Sequence, residues 1–129
     1  TLNRVCMTDR VLSYTDKADI ISVMLGVNDF AASLPLGKFG DTTSATIYGS
    51  LYLMAEHLTT TQEDAFIFFM TPYKCKLEDK TYEDENQAGY TLADVANAIK
   101  TVANKYNMFY NKNISSFLVL YILSSRTID

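Results

Sequence analysis

Tryptophan is absent, histidine occurs once, and there are only two cysteines, two prolines and five glycines in 129 residues. Two cysteines, Cys6 and Cys75, cannot build the multi-bridge framework of a small secreted domain, and both read as buried or idle thiols. No C-x-x-C pair occurs and His57 has no partner at ligand spacing, so neither a structural zinc site nor any other metal or cofactor is expected. Few glycines and prolines argue against a collagen-like or low-complexity chain. Basic residues are also short: 11 Lys and Arg face 15 Asp and Glu, for a net charge of -4. A sequence-independent grip on nucleic acid or anionic lipid is therefore not expected. No apolar run approaches the roughly 18 residues that cross a bilayer; the longest, Phe117 to Leu123, is far too short. Thr1-Leu2-Asn3-Arg4 opens without the apolar core of a signal peptide, which slightly favours the cytoplasm.

What is present is ordinary globular material: 48% apolar and 20% charged residues, in a length that suits one domain over residues 1–129. Apolar residues between Asn3 and Leu12 suggest a short helix. Asp19 to Leu25 is an almost unbroken apolar, β-branched run ending at Gly26, as expected of a strand covered on both faces. Phe30 to Thr43 holds Pro35, Gly37 and Gly40 and reads as a loop. Ala45, Tyr48, Leu51, Tyr52, Ala55 and Leu58 then recur at helical spacing to about Thr60. Gly49 lies inside that helix and suggests close packing on a sheet.

Asp64 to Thr71 reads as a second buried strand, stopped by Pro72. Tyr73 to Gly89 is dense in charge and reads as a solvated loop or lid. Thr91 with Asp94 three residues on forms an approximate capping box, and Tyr90 with Val95 a hydrophobic staple. Leu92, Val95, Ala96, Ile99, Val102 and Ala103 make one apolar stripe, with Lys100 and Lys105 toward its negative end. Phe117 to Leu123 reads as a third strand. Strand, helix, strand, helix, strand predicts right-handed βαβ crossovers: an α/β fold, three-layer αβα with a mostly parallel, flavodoxin-like sheet. Ligands in such sheets bind beyond the carboxyl ends of the strands, here Gly26 to Phe30, Thr71 to Lys74 and the tail after Leu123.

Gly26-Val27-Asn28-Asp29 stands at such an end. The glycine permits a tight backbone path or a close ligand. The Asn28 amide can donate two hydrogen bonds, the property an oxyanion hole requires. Asp29 can hold the turn by accepting backbone N–H bonds. In context, Ala18 to Phe30 resembles the third block of the SGNH hydrolases, the GDSL-like lipase/acylhydrolase family. The match continues in register through Pro35-Leu36-Gly37, Asp41, Thr46 to Leu51, Phe66 to Pro72, Asn86, Gly89 to Leu92 and Ala98 to Lys100.

The resemblance implies an SGNH-type fold and hydrolysis of a small ester or an acetylated carbohydrate. In that family a serine attacks the carbonyl, and a histidine, oriented by the aspartate of an Asp-x-x-His motif, acts as base. Asn28 would be the oxyanion donor, Gly26 would shape the strand end and Asp29 would support the loop. The family's Gly-Asp-Ser block, its second-block glycine and its Asp-x-x-His motif have no counterpart in these 129 residues. Gly40-Asp41-Thr42 lies after Gly26 and matches a loop. Gly49-Ser50-Leu51 lies within the predicted helix. His57 reads as a surface residue.

The chain therefore resembles a shortened SGNH domain that retains the asparagine block. The alternative is a catalytically inactive relative acting as a binding or interaction module, whose exposed sheet edges would favour a homo-oligomer. An unrelated flavodoxin-like domain ranks third, since no Gly-rich phosphate loop is present.

Overall fold

The computed structural model describes residues 6–73 and 82–111. Cys75 and the run Phe117 to Leu123 lie outside these residues. The element order is α1 (Met7–Leu12), β1 (Ile20–Met24), α2 (Val27–Ala31), α3 (Ile47–Thr61), β2 (Phe66–Met70), α4 (Leu92–Lys105) and β3 (Phe109–Asn111). The three described strands form a parallel sheet in the order β1-β2-β3. This is the α/β arrangement that the alternation of elements predicts.

Two features differ from what the sequence predicts. The third described strand is Phe109–Asn111, which is not among the expected strands, while the run at 117–123 lies outside the described residues. Its place is set by pairing with β2, where Phe68 is in register with Phe109 and Met70 with Asn111. Three residues are too few to show a strand period. Second, the space that a side chain at Gly49 would need is filled by the backbone of the loop before α3. A Cβ there would overlap the backbone carbonyl of Thr43, so the glycine lets the loop before α3 lie against the helix.

Strand alternation places Ile21, Val23, Ile67 and Phe69 on one face of the sheet, with Ile21 opposite Ile67 and Val23 opposite Phe69. Val23, Ile67 and Phe69 join one apolar cluster with Ile47, Leu51, Met54 and Leu58 of α3 and Leu92, Val95 and Ile99 of α4. Full burial of each large aliphatic side chain contributes about 1.5–3 kcal/mol. On the other face Ile20, Met24 and Phe66 are exposed. Of the three layers, the described residues therefore form the sheet and the helical layer on one side of it.

Side chains finish both long helices at their N-termini. Thr46 caps α3 by accepting from the Gly49 N–H at 3.1 Å. The box anticipated at α4 is complete: the Thr91 hydroxyl accepts from the Asp94 N–H at 3.1 Å, and the Asp94 carboxylate accepts from the Thr91 N–H at 2.8 Å. At the far end of α3, the Lys17 ammonium donates to the Thr61 carbonyl at 2.6 Å, where the helix dipole is negative. Lys105 in the last turn of α4 lies 5.4–6.0 Å from the ring centroids of Phe39, Tyr52 and Tyr106.

Candidate functional site at the carboxyl end of the first strand

The candidate site begins where β1 stops. Gly26 is buried and has φ of 109°, a conformation that favours glycine. A Cβ at this position would lie 2.6 Å from Val95 Cγ1 and 3.6 Å from Pro72 Cγ. The strand end is thus wedged between α4 and the residue that closes β2. The left-handed turn starts α2 at once, and the Gly26 carbonyl accepts from the Phe30 N–H at 2.9 Å. The expected loop from Phe30 therefore begins later, after a five-residue helix too short to announce itself by apolar period.

Asn28 sits in the first turn of α2 and is exposed. Its carbonyl accepts from the Ala32 N–H at 2.9 Å, so its backbone is fixed. Among the described residues its side-chain amide has no hydrogen-bond partner. An amide so placed can offer two N–H donors to a ligand. Asp29 is half-buried and supports the loop through its backbone. Its carbonyl accepts from the Leu34 N–H at 3.0 Å and from the Tyr90 hydroxyl at 3.5 Å. Among the described residues its carboxylate accepts no N–H bond, unlike the turn-holding role expected of it.

The main support for α2 comes from the segment before α4, which reads in sequence as part of a solvated loop. Asn86 is buried there, and its amide donates to the Phe30 carbonyl at 3.0 Å. Its side-chain oxygen accepts from the N–H groups of Ala88 at 3.0 Å and Tyr90 at 3.3 Å. The Tyr90 hydroxyl donates to the Leu34 carbonyl at 2.5 Å, and its ring meets Phe30 edge-on at 5.9 Å. Burial raises the Tyr90 phenol above its ordinary pKa. Gln87 N–H donates to the Ser33 hydroxyl at 3.2 Å. Only the bare resemblance of Asn86 and Gly89 to Leu92 hints at this support in the sequence.

The loop that follows is closed by Asp41. Its carboxylate accepts from the Lys38 N–H at 3.0 Å and from the Thr46 hydroxyl at 2.9 Å, and these bonds, the backbone one first, hold it below the usual carboxylate range. Asp41 is therefore occupied with loop structure. Ser50 lies in α3 and donates to the Ser44 carbonyl at 3.4 Å.

His57 is half-buried rather than on the open surface: its Nε2 lies 3.4 Å from the Tyr14 carbonyl, where α3 approaches the segment after α1. That contact is toward the amino ends of the strands, since nearby Gln62 bonds to Asp16 and Ala18 just before β1. The histidine and Asn28 are thus at opposite ends of the sheet. Cys6 is exposed, with its Sγ 3.0 Å from the Asp9 carboxylate. Among the described residues no group of three or more His, Cys, Asp or Glu is placed to hold a metal ion. No described helix is long and apolar enough to cross a membrane.

No family model matches the chain, and no curated protein matches its sequence. Solved structures do. A protein from Lactobacillus plantarum superposes with a TM-score of 0.72 at 27% identity, over 81% of this chain and 51% of that one. A structure named as a possible lipase from Chitinophaga pinensis gives 0.63 at 26% identity, over 73% and 41%. One named as a GDSL-like lipase from Bacteroides ovatus gives 0.57 at 17% identity, over 80% and 44%. The chain spans about half the length of the solved structures it matches. Together with the parallel sheet and the Gly26-Asn28 strand end, these likenesses show the SGNH, or GDSL-like, hydrolase fold.

Proposed function

We propose that these residues are the oxyanion-loop portion of an SGNH-type serine ester hydrolase, acting on a small ester or an acetyl group. The observation that carries this reading is the Asn28 amide: exposed, unpartnered among the described residues, and mounted on a fixed helical turn beyond a parallel strand. Donors of this kind stabilise the charge that grows on a carbonyl oxygen under nucleophilic attack. In this reading Asn28 is the donor, Gly26 brings the strand close to α4, and the backbone of Asp29 secures the turn. The names of the Chitinophaga and Bacteroides structures support a lipase-like chemistry.

Attack also needs a serine with a base in hydrogen-bond reach. His57 is placed at the other end of the sheet, away from Asn28. For this reading a nucleophile and a base would have to be supplied by another segment or chain. The absence of a Gly-Asp-Ser block and an Asp-x-x-His motif from the sequence also favours a second reading, an inactive module that keeps the fold for interaction.

Hydrolysis of p-nitrophenyl acetate separates the two. The 129-residue chain should give no rate above buffer. Joined to a Gly-Asp-Ser block upstream and an Asp-x-x-His motif downstream, it should turn over the ester. Failure of the joined, folded protein to do so would favour the interaction module.

A further inference from the structure

We infer that Asn86 is a positioning residue for Asn28, acting through the carbonyl of Phe30. The assignment rests on the reading of Asn28 as an oxyanion donor, but the contact does not. Phe30 lies two residues beyond Asn28 on the same short helix. Its carbonyl takes two donors, the Ser33 N–H at 3.0 Å and the Asn86 amide at 3.0 Å. A five-residue helix has little stability of its own. Its orientation must therefore be imposed from outside, and the buried Asn86 side chain reaches it from a segment 56 residues away, at 3.0 Å against the 3.5 Å of the Tyr90 hydroxyl from the Asp29 carbonyl.

The two ends of the Asn86 amide have separate tasks. The oxygen organises its own turn, accepting from Ala88 and Tyr90. The nitrogen alone reaches α2. An aspartate at this position keeps the acceptor and loses the donor. That asymmetry separates a role in positioning α2 from a role in building the 86–90 turn.

The test is amide hydrogen exchange, read residue by residue by NMR, on the 129-residue chain and its Asn86→Asp variant. In the variant, exchange at Phe30, Ala32 and Leu34 should rise at least about tenfold relative to Ile67, Phe69 and Ile99, and the Asn28 side-chain amide resonances should shift. The Ala88 and Tyr90 amides should stay protected. Tyr90→Phe supplies a second arm: it removes the hydroxyl bond to the Leu34 carbonyl but keeps the ring on Phe30, and it should raise exchange mainly at Ser33 and Leu34. If the Asn86→Asp protein folds and α2 exchanges as in the parent, or if all amides rise together, the positioning role is wrong. If Asn86→Asp fails to fold, Asn86→Ser takes its place, since its shorter side chain leaves the Phe30 carbonyl without that donor: a rise at Phe30, Ala32 and Leu34 above that at Ile67, Phe69 and Ile99 supports the proposal, and unchanged exchange there overturns it. Exchange needs no substrate, so this result stands apart from whether Asn28 serves catalysis, which ester hydrolysis decides.

Discussion

Gly26 and Val95 approach so closely that a β-carbon on the glycine would lie 2.6 Å from the valine Cγ1. That contact ties the end of β1 to the second turn of α4 and sets where α2 begins. Alanine at position 26 must adopt φ near 109° and displace Val95. Gly26→Ala should cost about 1–3 kcal/mol, from the strained backbone and the overpacking together. Urea unfolding followed by circular dichroism measures it. A cost below about 0.5 kcal/mol would mean that α4 yields freely there.

The capping box at α4 should be worth about 1 kcal/mol. Thr91→Ala removes the acceptor for the Asp94 N–H and leaves a helix donor unpaired. Thr91→Ser keeps the hydroxyl oxygen and should recover most of the loss. Thermal unfolding of the three proteins gives the comparison.

Core truncation at the same helix should be harsher. Leu92 and Ile99 are fully buried in the cluster shared by α3, α4 and the sheet. Either residue changed to alanine should cost about 2–5 kcal/mol, from lost burial plus the cavity left behind. An exposed site such as Asn104 changed to alanine should stay within about 0.5 kcal/mol by the same measurement.

Asp41 and Tyr106 set opposite pH limits. The Lys38 and Thr46 donors lower the Asp41 pKa, so its contribution is present above the unfolded carboxyl value and is lost as pH falls through the folded one. The Tyr106 phenol is raised, first by burial and then by its hydrogen bond to Glu56 at 2.7 Å, so its contribution is present below the unfolded tyrosine value and is lost as pH rises through the folded one. Asp41→Asn should therefore flatten the acid limb of stability against pH, and Tyr106→Phe the alkaline limb. Stability curves from pH 2 to 11 check both.

The elements legible in the sequence are those with enough length or chemistry to impose a pattern. Asp19 to Leu25, with no charge after its first residue, contains β1; the helical stripe from Ala45 contains α3; Thr91 and Asp94 mark the start of α4. Gly26 and Asn28 are singled out by the resemblance of Ala18 to Phe30 to a block of the SGNH hydrolases; taken alone, a glycine and an amide at a strand end read as a turn. The elements that were not legible depend on distant partners. Phe109–Asn111 is a strand because β2 lies beside it. The helical turn at Val27–Ala31 is held by Asn86 and Tyr90, and a buried asparagine in a charge-rich stretch has no periodicity to reveal it. Asp29 supports its turn by a carbonyl, which side-chain chemistry does not announce.

The central claim is that Asn28 is an oxyanion donor, and one comparison tests it most directly. In a protein that joins these residues to the nucleophile and base blocks of the fold, kcat for p-nitrophenyl acetate is measured with Asn28 and with Asn28→Ala. The side chain is exposed and unpartnered among the described residues, so the melting temperature should not change. A fall in kcat of about 10²–10³-fold at unchanged stability is the predicted result. Equal kcat in the two folded proteins would contradict it.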